Sequence, residues 1–208
     1  MADTIAARRR RADGERSRRT ILEAAARLAT VEGLEGLSIS RLADHVGMSK
    51  SGLYAHFGSK EELQLATIET ASAIFAAEVV EPALAAEGPR AQLEALCERF
   101  LAHVERRVFP GGCFFASTAA EFDTRPGAVN ARLAAGQREW LGLIERLAAA
   151  AQADGSLDAR EDPAQLAFEL NSYLSLGNAL SVLLEDPVHL ERARGAVRAR
   201  LAAALARD

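Results

Sequence analysis

Residues 37–63 read Leu37-Ser38-Ile39-Ser40-Arg41-Leu42-Ala43-Asp44-His45-Val46-Gly47-Met48-Ser49-Lys50-Ser51-Gly52-Leu53-Tyr54-Ala55-His56-Phe57-Gly58-Ser59-Lys60-Glu61-Glu62-Leu63. Ile39, Leu42, Ala43 and Val46 fall at i, i+3, i+4 and i+7, which predicts a two-turn helix with one buried face. Ser38 stands ready to cap it and Gly47 to end it. Ser49 caps a third short helix in which Met48, Leu53 and Phe57 turn inward, leaving Lys50, Ser51, Gly52 and Tyr54 outward. Two short helices joined by a glycine-containing turn spell a helix-turn-helix. Gly58 ends the third helix, and Ser59 with Glu62 forms a capping box that opens a long fourth one, running through Leu63, Ile68 and Phe75 towards Pro82.

Upstream, Ile21, Leu22, Ala25, Leu28 and Ala29 repeat at helical spacing, and Gly33 and Gly36 stop the helix near Val31. Downstream, Leu93, Leu96, Cys97, Phe100, Leu101 and Val104 form a helical stripe that ends at Phe109-Pro110-Gly111-Gly112. Cys113 to Phe122 is a short apolar segment broken by Arg125-Pro126-Gly127, and a long helix then carries Leu133, Trp140, Leu141, Ile144 and Leu147. Asp162-Pro163 and Asp186-Pro187 each pair a capping carboxylate with a proline at the first helical position and start the last two helices. Ala (44) and Leu (27) occupy 71 of 208 positions against six prolines, so the fold expected is all-α without a sizeable sheet. The longest uninterrupted apolar stretches fall well short of the roughly 20 residues of a membrane span, and the start lacks a secretory apolar core, so a soluble, cytoplasmic protein is expected.

The net charge of −4 divides unevenly. Residues 1–60 carry 11 Lys+Arg and 7 Asp+Glu, a balance of +4, and residues 61–208 carry 14 and 22, a balance of −8. Arg8, Arg9, Arg10, Arg11, Arg16, Arg18 and Arg19 gather at the start, as a disordered arm over 1–17 or as a phosphate-neutralising footprint. A helix-turn-helix lays its second helix in the major groove of double-stranded DNA. Lys50 can meet a phosphate or guanine acceptors, Ser51 is a short donor and acceptor, Gly52 allows close backbone approach, and Tyr54 holds a hydroxyl on a stiff ring. Lys50 and Lys60 are the two lysines of the chain, one at each end of the third helix region.

The runs Thr20-Ile21-Leu22-Glu23-Ala24-Ala25, Leu37 to Ala43, Val46 to Lys50 and Leu53 to Leu63 together resemble the DNA-binding domain of TetR/AcrR-type transcriptional regulators. The likeness covers about residues 18–65. It implies an all-α protein of about nine helices, with a helix-turn-helix domain of three helices over 18–62 and a helical ligand-binding and dimerising domain over 63–208. It also implies an operator-binding regulator, expected to be a repressor, without cofactor or metal and without catalysis. Carried over by position, Ser38 and Lys60 fall to phosphates, Tyr54 and His56 to the backbone flanking the groove, and Lys50 and Ser51 to the DNA-facing turn, with Ser49 and Gly52 beside them. The family usually has Gly then Thr where this chain has Ser51 and Gly52, which removes a contact at position 52.

Phe100, Phe109, Phe114, Phe115, Phe122 and Tyr173, with Trp140, supply the aromatic material for an apolar cavity that would hold a largely apolar small-molecule effector. The lining residues expected are Phe109, Cys113, Phe114, Phe122, Trp140 and Tyr173, and His103, Glu121, Asn171 and Asn178 are the available polar orienters. Cys113 after Gly111-Gly112 raises an alternative, a thiol-based redox sensor with Cys97 as resolving partner. The final two helices, rich in Ala, Gly and Ser, are expected to form a homodimer through residues 163–206. No phosphate loop, nucleophile elbow, Glu-x-x-His pair or Cys-x-x-Cys is found, which argues against an enzyme.

Overall fold

The computed structural model describes the backbone of residues 2–205 and the side chains of residues 14–205. The helices are α1 (Ala2–Glu32), α2 (Ile39–Val46), α3 (Lys50–Tyr54), α4 (Lys60–Phe75), α5 (Glu81–Leu84), α6 (Pro89–Glu105), α7 (Phe114–Phe122), α8 (Ala128–Ala153), α9 (Pro163–Leu183) and α10 (Val188–Ala203). Between α4 and α5 the π-helical Ala76–Val80 keeps the chain helical, so Lys60 to Leu84 is one rod and the described residues hold nine rods. Pro82 accounts for the π segment: it cannot donate to residue 78 and its ring presses on that carbonyl, and a locally wider register relieves both. The rod is long and apolar enough to cross a bilayer by length and composition alone, yet it packs on α1, α6 and α8 as a core helix. An isolated bridge, Leu157 to Leu205, is the β-structure among the described residues.

The caps follow the sequence. Ser38 accepts from the Arg41 N–H at 3.2 Å and Gly47 closes α2 at φ 68°, a left-handed conformation suited to glycine. Ser49 accepts from Gly52 at 3.1 Å and Ser59 from Glu62 at 3.0 Å, while the Glu62 carboxylate reaches back to the Gly58 N–H at 2.9 Å rather than to that of Ser59. Asp162 caps α9 ahead of Pro163 as expected. At the second Asp-Pro pair the helix begins one residue later: Asp186 accepts from Val188 at 2.9 Å and Pro187 stands before the first turn.

The first helix begins earlier than its apolar stripe: α1 runs back to Ala2, through residues 2–17 of the expected arm. Alanine and arginine are strong helix formers, and residues added to an existing helix avoid the cost of nucleation. The side chains of Arg8, Arg9, Arg10 and Arg11 lie outside the described residues.

Two apolar cores result. The first joins Ile21, Ala25, Leu34, Leu42, Leu53, Phe57, Leu63 and Ile68 to Phe109, Phe114, Phe122 and Leu133. The second gathers α6, α8, α9 and α10 around Leu96, Leu101, Ile144, Leu170 and Leu174. A division at residues 62 and 63 therefore cuts through shared packing, since Phe114 and Phe122 of α7 and Leu63, Ile68 and Ala71 of the rod lie in the first core, while Phe75, Val79 and Ala83 of the same rod lie in the second. Gly177 lets α9 and α10 come close, for a methyl group there would stand 2.6 Å from the Ala193 Cβ.

Candidate functional site

The outer face of α3 is polar and open. Lys50 and Ser51 are exposed, Tyr54 is 60% exposed, and His56 is half-buried, while Leu53 and Phe57 carry the helix on the core. Ser49 is occupied as a cap, and its hydroxyl also stands 3.3 Å from that of Ser51. A Cβ at position 52 would meet the Ser49 Oγ at 3.1 Å, so the glycine keeps the cap close.

The basic residues around this face divide by role. Arg18 donates to the His56 carbonyl and lies 4.4 Å above the Phe57 ring, which commits it to holding the end of α3. Lys60 pairs with Glu35 at 3.0 Å. That bond outweighs partial desolvation and lowers the Glu35 carboxyl from its ordinary value, helped by Gln64 and Arg125. Lys60 therefore stands at the start of α4 on a surface ion pair that a phosphate can replace at little cost.

The helix-turn-helix is fastened to the rest of the chain at several points. Glu121 of α7 accepts from the backbone N–H groups of Leu34 at 3.1 Å and Glu35 at 2.9 Å. Arg27 donates to the Val108 carbonyl at 2.9 Å, and Thr30 Oγ1 accepts from the Gly111 N–H at 3.0 Å. Arg132 of α8 binds Glu69 of α4 through Nε at 2.5 Å and through Nη2 at 3.2 Å.

Beyond these ties lies a cavity of about 960 Å³, lined by Phe75, Phe100, Cys113, Phe115, Trp140 and Leu143 together with Ser175 and the expected orienters Asn171 and Asn178. Phe75 is its hub, with ring centroids 5.4 Å from Trp140, 5.8 Å from Phe115 and 6.2 Å from Phe100. Cys113 and Trp140 are thus in the lining, and Phe109, Phe114, Phe122 and Tyr173 are not. On α7, positions 114, 118 and 122 share the face turned to α1, and Phe115, Ala116, Ala119 and Ala120 share the face turned to the cavity. Phe109 packs on Phe114 in the first core, and Tyr173 lies off the α9 face that carries Asn171, Ser175 and Asn178. Phe75 sits where the helical stripe of the rod puts it, but its stripe alone does not tell core from cavity.

Of the other two orienters, Glu121 is the brace described above and His103 is fully buried. The His103 ring meets Phe75 and Phe109 edge-on at 5.6 and 5.4 Å, and neither of its nitrogens has a partner. Burial pushes it down to about 4, with Arg106 acting in the same sense and Glu78 opposing. The folded protein thus holds His103 neutral where the unfolded chain would protonate it. The stability linked to this group is complete above the unfolded value near 6.5 and falls as pH drops towards about 4. Denaturation midpoints measured from pH 7 to pH 4 should fall more steeply for the wild type than for His103→Leu, and parallel curves would remove this role.

The thiol alternative finds no support in the surroundings of the two cysteines. Cys113 is 3% exposed and Cys97 1% exposed. Burial raises both thiols, Cys97 to about 12, which disfavours the thiolate that oxidation requires. Gly111 and Gly112 let the loop press inward against α1 and α9 rather than display Cys113.

On α9, Phe168, Leu176 and Leu183 are 63%, 61% and 77% exposed, and Ala179 between them is exposed too. Their spacing places all four on one side of the helix.

The comparisons agree with this arrangement. The family described as bacterial regulatory proteins, tetR family, matches residues 21–67, and the one described as tetracyclin repressor-like, C-terminal domain, matches residues 89–206. The HTH-type transcriptional repressor AcnR of Corynebacterium efficiens is 40% identical over 68 residues, which are 33% of this chain and 36% of that protein, so the match spans about a third of that relative. A TetR transcriptional regulator from Chloroflexus aurantiacus superposes with a TM-score of 0.86 at 27% identity, over 93% of this chain and 98% of that one. AibR, solved in complex with isovaleryl coenzyme A and operator DNA, gives 0.68 at 25% identity, over 86% and 96%. The chain belongs to the TetR family of bacterial regulatory proteins, and is a DNA-binding transcriptional regulator rather than an enzyme.

Proposed function

We propose that this chain is a one-component repressor of the cytoplasm that binds a palindromic operator as a homodimer and is released when a small, largely apolar molecule enters the cavity. The observation that carries this is the rod from Lys60 to Leu84: Leu63 in its first turn shares a core with Leu53 of α3, and Phe75, Ala76 and Val80 along the same rod line the cavity. A ligand that fits only a tilted rod would change the set of α3. The coupling is reciprocal, so operator binding weakens ligand binding by the same factor. AibR, with both a small molecule and operator DNA in one structure, supports the scheme by likeness, and AcnR supports the sign of regulation.

The exposed apolar face of α9 supports a two-fold contact within residues 163–206, with α10 packed beside it. A dimer would set two α3 helices on half-sites about 34–36 Å apart or a multiple of that. Lys50, Ser51 and Tyr54 are the groups placed to reach DNA, with Ser38, Ser49, Gly52, His56 and Lys60 around them. Fluorescence anisotropy on the selected operator at several salt concentrations tests the roles. Tyr54→Ala should raise Kd by about tenfold, and Lys60→Ala should weaken all sequences alike and flatten the salt slope by about 1. Unchanged affinity in both variants would contradict the assigned surface.

A further inference from the structure

Besides the exposed Gln137, Glu139 and Arg146 of α8, the polar lining of the cavity comes chiefly from one helix. Asn171, Ser175 and Asn178 fall at i, i+4 and i+7 on α9, and all three line the cavity, along an edge about 10 Å long. Both asparagine oxygens are already occupied. Asn171 Oδ1 accepts from the Trp140 indole N–H at 3.0 Å, and Asn178 Oδ1 accepts from the Cys113 backbone N–H at 2.8 Å. Those partners only donate, which sets the orientation of both amides and leaves each NH2 as the free end. Neither NH2 group, nor the Ser175 hydroxyl, makes a hydrogen bond among the described residues. The other cavity hydroxyls turn away: Ser72 donates to the Ile68 carbonyl and Ser117 to that of Phe114, each at 2.9 Å.

Aromatic rings face this edge. Phe75 sits at their centre, and Phe100 and Trp140 lie 5.8 Å apart at an interplanar angle of 32°. The charged residues that line the cavity, Glu139 and Arg146, are opposite in sign, exposed, and two turns apart on α8. An ion entering the interior would lose water without meeting a counter-charge there.

We propose that the cavity takes flat, uncharged aromatic molecules that carry hydrogen-bond acceptor oxygens, carbonyl or ether, along one edge. The rings lie against Phe75 and Trp140, and the oxygens accept from the Asn171 and Asn178 amides and from Ser175. This class rests on the cavity being the effector site proposed above.

Equilibrium dialysis of the full chain against three probes tests it: 4′-methoxyflavone, the hydrocarbon 2-phenylnaphthalene, and flavone-4′-carboxylate. The methoxyflavone should bind about tenfold tighter than either of the others. Asn171→Leu should remove a large part of its advantage over the hydrocarbon, and Ser175→Ala should show a smaller loss of the same sign. Equal binding of hydrocarbon and methoxyflavone overturns the ligand class and leaves the cavity standing. Tighter binding of the carboxylate overturns it in favour of an anion held by Arg146. Failure of all three to bind overturns the class and the effector reading together.

Discussion

Phe57→Ala is expected to lower the unfolding free energy by about 3–4 kcal/mol and to abolish DNA binding. The ring is 1% exposed, packs in the core that joins α1, α2, α3 and the rod, and lies under the Arg18 guanidinium. Removing it leaves a void in the core beneath α3, and it frees Arg18 from the end of α3. In a chain of this size each kcal/mol shifts the thermal midpoint by roughly 2–4 °C, so a fall of around 10 °C should be seen in a melting curve. Tyr54→Ala separates the two effects. Its ring is 60% exposed, so stability should hold within about 0.5 kcal/mol while DNA affinity falls. A Phe57→Ala protein that melts with the wild type would show that the ring does not support α3.

Gly111→Ala is the second large effect, about 2–3 kcal/mol of destabilisation. A Cβ at this position would lie 1.9 Å from the Thr30 carbonyl oxygen and 2.6 Å from its carbon. Both belong to the backbone of α1, so no side-chain rotation can make room. The loop or α1 must move, and the Gly111 N–H to Thr30 bond goes with it. Gly112 follows at φ +86°, and Cys113 then donates to Asn178 in the cavity wall. The loop therefore ties α1 to the cavity independently of the rod. Denaturant unfolding of the variant measures the effect, and a change below about 0.5 kcal/mol would mean that the loop does not press on α1.

The helix-turn-helix was legible because its determinants are local. Ile39, Leu42 and Ala43 declare their face by spacing alone, and Ser38, Ser49 and Ser59 cap helices that begin beside them. The cavity was less legible for a definite reason. In α7 both faces are apolar, with Phe114 and Phe115 adjacent, so periodicity offers no phase. The partners decide it: α1 takes Phe114 and Phe122, and the cavity keeps Phe115. Long-range ion pairs were hidden in the same way. Arg194 stands on a helix that looks like a solvated arginine face, yet its side chain is 9% exposed and binds Glu98, Glu105 and Glu191 at 3.0, 2.7 and 2.6 Å. Two of those carboxylates come from α6, nearly a hundred residues away, and no local spacing announces them. Lys60 is expected at a phosphate and Arg18 counted in the basic cluster, and their partners Glu35, His56 and Phe57 become visible once α1, α3 and the turn before α2 are set together.

The central claim is that two copies of α3 read a symmetric DNA site, and selection from a pool of random duplexes by the purified chain tests it most directly. The account predicts enrichment of one inverted repeat, with half-sites one helical turn or a multiple apart, and loss of that enrichment in the Tyr54→Ala chain. Equal retention of all sequences, with no repeat emerging, would contradict it.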